Sequence, residues 1–214
     1  MGLRAREVMG MSGEMEKPDV NEEQMDIAQR IEQAFTDSYE QDVKNGIVPW
    51  ADASKIIEYM EYMAQEGLDS EDLIEYLAKR SGIDLDAFKQ MWAKLTDEQK
   101  EDLLNEIAHN IAFDGFTRLI KAIVDDLNRQ KKYRKYRGKV LKYALYYICD
   151  DDSVDYDGLE DVIISVFWPE NKKKKDEEAY EDFIRGLELA KYLDEETVKE
   201  AITIYLVFGI AEKC

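Results

Sequence analysis

Apolar residues recur along the chain at intervals of three and four, and short polar or glycine-containing breaks divide that pattern into segments of helical length. Met25, Ala28, Ile31, Phe35 and Tyr39 form the first stripe, entered through an Asn21/Gln24 capping box and stopped at Asn45-Gly46. A second helix is predicted from Pro49, which suits a first helical turn, through Ile56, Ile57, Met60 and Met63 to Gly67. Asp69 is the expected cap of a third helix with Leu73, Ile74 and Leu77, closed by Gly82. Asp84 caps a short helix with Phe88, Met91, Trp92 and Leu95. Thr96 and Gln99 then form a second box that opens Leu103, Leu104, Ile107, Ile111 and Phe113. Short loops between such helices fit a compact bundle.

The stretch Phe116 to Cys149 is apolar at both ends and basic in the middle. Phe116, Ile120, Ile123 and Leu127 share one helical face, and Leu141, Leu145 and Ile148 return to that face. Between them the face would pass through Gln130, Arg134 and Arg137, which do not belong in a core without partners. The pattern therefore predicts either one long helix or two helices that break near Gly138. Tyr133, Tyr136, Val140, Tyr143 and Tyr147 make a second stripe well around the wheel, so residues 139 to 149 read as the pivot of the C-terminal region. A helix from about Asp157 to Phe167 follows and ends at Trp168-Pro169. Lys172 to Lys175 reads as a solvated loop. Tyr180, Phe183, Ile184, Leu187 and Ala190 mark another helix. Asp194 caps a last one carrying Val198, Ile202, Tyr205, Leu206 and Ile210. The β-branched run Val162 to Phe167 has helical flanks, which argues against a strand.

The predicted fold class is all-α: about ten helices, in an acidic N-terminal bundle over 21–115 and a C-terminal bundle over 116–214, joined by a long or kinked basic central helix. Residues 1–20, with four Met and no clean period, read as an N-terminal arm.

Composition sharpens this picture through charge. The 214 residues carry 48 acidic against 29 basic side chains, a net of −19. Residues 1–115 hold 11 basic and 27 acidic residues, so almost all of the excess is N-terminal. Such a chain as a whole repels nucleic acid and anionic membrane; only a local basic patch reverses that. Two cysteines provide neither a disulfide framework nor a thiolate metal site, which points to a cytoplasmic protein. No run approaches the roughly 20 apolar residues that span a bilayer, and Arg6 stands where a myristoylation signal needs Ser or Thr. The 36% charged fraction, with few Gly and Pro, is also the composition that thermophilic proteins favour.

Candidate chemistry is sparse. His109 is the only histidine, and Glu106-x-x-His109 is a single copy of a half-site that di-iron bundles use twice. Ser153, Asp155, Asp157 and Gly158 match the opening of an EF-hand loop, but Ile164 occupies the position of the bidentate glutamate. The acids from Asp150 to Asp161 then leave at most weak divalent binding, and no cofactor, metal site or catalytic residue is expected. No phosphate-binding glycine loop or nucleophile elbow is present in the sequence.

The strongest local signal is the basic segment. Arg129, Lys131, Lys132, Arg134, Lys135, Arg137, Lys139 and Lys142 place eight positive charges within fourteen residues, interleaved with Tyr133 and Tyr136. These ten residues are the expected contact site. The leading expectation is a non-enzymatic interaction or regulatory protein that binds a protein partner or itself. The alternative is a nucleic-acid-binding protein that uses the lysines and arginines on phosphates and the tyrosines on bases. A carboxylate-metal enzyme is a distant third.

Overall fold

The computed structural model describes residues 22–149, 156–169 and 176–212. The protein is all-α, with no strand among the described residues. The arm, Asp150 to Asp155, Lys172 to Lys175 and Cys214 lie outside them.

Helix α1 (Glu22–Lys44) buries Ile27, Ile31, Phe35 and Tyr39, a strict four-residue spacing, and reverses at Gly46 with φ of 91°. Asn21 lies outside the described residues. Gln24 makes a different bond from the one its box implies: its Nε2 donates to the Lys94 carbonyl at 2.8 Å, and its Oε1 accepts from Gln99. The start of α1 is thereby tied to the loop before α5. Helix α2 (Pro49–Ala64) turns Ile56, Ile57, Met60 and Met63 inward as its spacing requires.

Helix α3 (Glu71–Ser81) is capped by Ser70, whose Oγ accepts from the Leu73 amide, and not by Asp69. Asp69 is drawn instead to Lys100, whose ammonium lies 2.8 Å from it and 3.4 Å from Asp97. Lys100 is 4% exposed, and those two carboxylates, with the Trp92 ring 5.9 Å away, make its burial tolerable. Helix α4 (Leu85–Trp92) begins at Asp84, which accepts from Asp86 and Ala87, and buries Phe88 and Trp92.

Helix α5 (Asp97–Arg129) opens with the expected Thr96/Gln99 capping box and then runs unbroken for 33 residues. It merges the fifth predicted helix with the first third of the basic stretch. Residues 115 and 116, the expected boundary between two bundles, are adjacent in its interior. It packs on α1, α2, α9 (Glu177–Glu188) and the C-terminal rod, which makes it the axis of the molecule. One contiguous set of buried side chains extends from Ile27 to Ile210.

Two glycines permit the closest approaches. A Cβ on Gly115 would stand 2.8 Å from Leu189 Cδ1, 3.1 Å from Ala53 Cβ and 3.3 Å from Trp50 Cα. One on Gly186 of α9 would meet Trp50 Cδ1 at 2.9 Å and Leu119 Cδ2 at 2.7 Å. Trp50 is thus wedged at the meeting of α2, α5 and α9, where only missing side chains leave room. The C-terminal rod starts at an Asp194 cap and runs as α10 (Glu195–Ala201), a π-helical segment (Ile202–Val207) and α11 (Phe208–Ala211). The wider turn keeps Val198, Ile202, Leu206 and Ile210 on one buried line.

Candidate interaction surface

The basic segment begins where α5 leaves the core. Leu127 is its last fully buried residue, and the chain escapes the helix at Gln130, which adopts an extended conformation (φ −81°, ψ 114°). The chain breaks first at Gln130 and again at Lys135 and Tyr136, close to the break expected near Gly138, which itself lies inside a helix. A single turn, α6 (Lys131–Arg134), and a bend at Lys135 and Tyr136 lead into α7 (Arg137–Cys149).

Two of the three residues that looked misplaced on the predicted face secure this corner. Arg134 donates from Nε to the Asn128 carbonyl at 3.0 Å, one of the carbonyls the helix end leaves without an intrahelical partner. Arg137 reaches Asn128 Oδ1 at 3.4 Å, and Asn128 Nδ2 in turn donates to the Gly209 carbonyl of α11. Gln130 folds back to Asp126 Oδ1 at 2.7 Å. Arg129 pairs with Asp125 at 3.0 Å on the exposed face of α5.

The tyrosines turn inward. Tyr133 is half-buried with its ring centroid 4.7 Å from that of Phe167 on α8 (Tyr156–Phe167), and the Lys132 ammonium sits 4.4 Å over it. Tyr136 is also half-buried, beneath Lys135 at 4.8 Å. Lys131, Lys132, Lys135, Lys139 and Lys142 are all exposed, and none pairs with a carboxylate among the described residues. Lys139 meets only the Ser165 hydroxyl, at 3.5 Å, and Lys142 lies 5.5 Å from the Tyr146 ring.

On α7 the buried residues are Val140 and Tyr147, from the tyrosine stripe, and Ala144, from neither predicted stripe; Tyr143 is half-buried. The stripe expected to continue the α5 face is not in the core: Leu141 and Ile148 are half-buried and Leu145 is 42% exposed. The chain turns at Gln130, so the register of α5 does not carry over. Helix α8 covers one flank of α7, where Lys139 meets Ser165 and Tyr147 stands 6.1 Å from Tyr156, and the C-terminal rod covers another. Leu145 and Tyr146 on α7, and Ile204 and Phe208 on the rod, remain exposed. The sequence carried this signal, two apolar stripes on one short helix, but not which stripe would lack a partner.

Elsewhere His109 is half-buried on α5 and Glu106 is exposed. Ser153 and Asp155 lie outside the described residues; Asp157, Gly158 and Glu160 belong to α8. Burial, then the neighbouring Asp157, Asp161 and Glu188 charges, push the Glu160 carboxyl up. Among the described residues no three His, Cys, Asp or Glu side chains converge as a metal site would require. No helix there is long and apolar enough to cross a membrane.

Compared with protein-family models, curated proteins and solved structures, the chain matches none of them.

Proposed function

We propose that the protein is a non-enzymatic binding protein whose α6–α7 corner and neighbouring C-terminal rod engage an acidic protein surface. The observation that carries this reading is the set of five exposed lysines within residues 131–142 that have no carboxylate partner among the described residues, although the chain is acidic overall. A cationic patch on an anionic molecule steers encounter with an anionic partner and contributes mainly on-rate and specificity. The exposed Leu145 and Tyr146 of α7, and Ile204 and Phe208 of the rod that packs on it, supply apolar area that charge alone does not. A second copy also qualifies as the partner, since residues 1–115 carry the acid excess. Tyr133 favours a protein over a nucleic acid, because its ring is already engaged with Phe167 and stacking on a base would forfeit that contact.

The test reverses charge at the four lysines that make no polar bond among the described residues, Lys131, Lys132, Lys135 and Lys142, each to Glu, and compares the variant with the parent at low salt. Arg134 and Arg137 are left intact because they hold the end of α5. The expected result is a protein complex or self-association that the variant and Leu145→Glu each lose, with no saturable binding to DNA or RNA. Parent binding to single- or double-stranded nucleic acid, with a log–log salt slope of about 0.7 to 0.9 per phosphate contact and loss in the lysine variant, would replace this reading by the nucleic-acid one.

A further inference from the structure

A cavity of about 230 Å³, not used by the function proposed above, opens between α2, α5, the end of α8 and α9. Four aromatic side chains, Trp50, Phe167, Trp168 and Phe183, share its walls with aliphatic ones such as Leu119 and Ile123. Trp168 packs 4.4 Å from Phe183 and 5.8 Å from Phe167, centroid to centroid, and Trp50 is held by the glycine notches at 115 and 186. The site is therefore built by the core and not by loose surface side chains.

Two half-buried carboxylates, Asp126 and Asp182, line the same cavity. Neither has a cationic partner among the described residues: Asp126 accepts only from Gln130, and Asp182 makes no hydrogen bond or ion pair. Aromatic faces and carboxylates that have no cationic partner among the described residues attract the same kind of group, a cation that is cheap to desolvate. Metal cations and ammonium itself hold their water tightly, whereas an alkylated ammonium brings its own apolar shell to the aromatic walls. The volume holds roughly eight water equivalents, the scale of one such headgroup with a short tail.

We propose that this cavity binds an alkylated ammonium group, with Trp50 and Trp168 against its methyl or methylene shell and Asp126 and Asp182 balancing its charge. Intrinsic fluorescence reports it directly, because Trp92, the remaining indole, is 1% exposed while Trp50 and Trp168 line the opening. The full chain is titrated with choline, with N-acetyl-trimethyllysine amide, and with 3,3-dimethyl-1-butanol, the uncharged isostere of choline. The expected result is saturable binding of at least one cation, at least tenfold tighter than the neutral isostere. Whichever cation binds more tightly identifies the source, a free small molecule or a modified side chain. Asp182→Asn and Trp168→Leu are each expected to weaken binding at least tenfold; Asp182→Asn, on the rim, is read alongside its melting curve so that misfolding is not mistaken for lost binding. Absence of saturation by both cations, equal affinity for the isostere, or an Asp182→Asn protein that folds and binds unchanged would overturn the proposal.

Discussion

Arg134 donates from Nε to the Asn128 carbonyl at 3.0 Å, so a residue of the basic segment closes the helix that crosses the whole molecule. The bond lies at the negative end of the α5 dipole, where a guanidinium is favoured twice over. Arg134→Ala is expected to cost about 0.5–1 kcal/mol in urea unfolding, while Lys135→Ala, with no such bond, changes stability by less than about 0.5 kcal/mol. Equal effects would mean that the corner is held by packing alone.

Gly115→Ala tests the crossing of α2 and α5. Helix propensity alone would make the alanine more stable by about 1 kcal/mol, but overpacking typically costs about 1–3 kcal/mol. Leu189 can swing away, but Ala53 and the Trp50 backbone cannot. A net loss of stability is therefore expected in thermal and denaturant unfolding, and a gain would show that the helices separate easily.

Alkaline pH should destabilise the protein. Burial pushes the phenols of Tyr39 and Tyr156 well above their ordinary range. Burial works against the Lys100 ammonium, but its bonds to Asp69 and Asp97 outweigh that and hold it above its usual value. All three groups keep their protons longer folded than unfolded. Their stabilisation is thus fully present below about pH 10 and is lost as pH rises toward the folded-state values, by up to about 1.4 kcal/mol per pH unit per group. Tyr39→Phe, Tyr156→Phe and Lys100→Met should each flatten the fall in unfolding midpoint above pH 10.

A fragment of residues 21–114 would lose the second half of α5 together with α9 and Leu189, which cover Trp50 and Ala53. It is expected to keep helical circular dichroism but to melt broadly, without the sharp transition of the full chain. A cooperative melt would show that the N-terminal helices hold a core of their own.

Much of the helical framework was legible because its signals are local. The Thr96/Gln99 box, the Asp84 and Asp194 caps, Pro49 at a helix start and Gly82 at a helix end each depend on residues within one turn. Asp69 shows where such reading fails: a good cap in isolation, it is taken by the buried Lys100 ammonium 31 positions away, and Ser70 does the capping. The break at Gln130 was missed for the same kind of reason. Gly138 has the greater intrinsic freedom, yet the helix ends where Leu127 leaves the core and Phe167 offers Tyr133 a contact.

By itself, then, the sequence determined the all-α class, the places where most helices start and stop, and the clustering of positive charge at residues 129–142, since these follow from caps, periodicity and composition within a few residues. Only the tertiary structure decided which apolar stripe of α7 is buried, which basic residues are spent on α5 and which lysines find no carboxylate among the described residues. It also joined Trp50, Asp126, Trp168 and Asp182 from four separate stretches around one cavity. Those outcomes depend on neighbours brought together from distant parts of the chain, and helical periodicity is blind to which face a neighbour will cover.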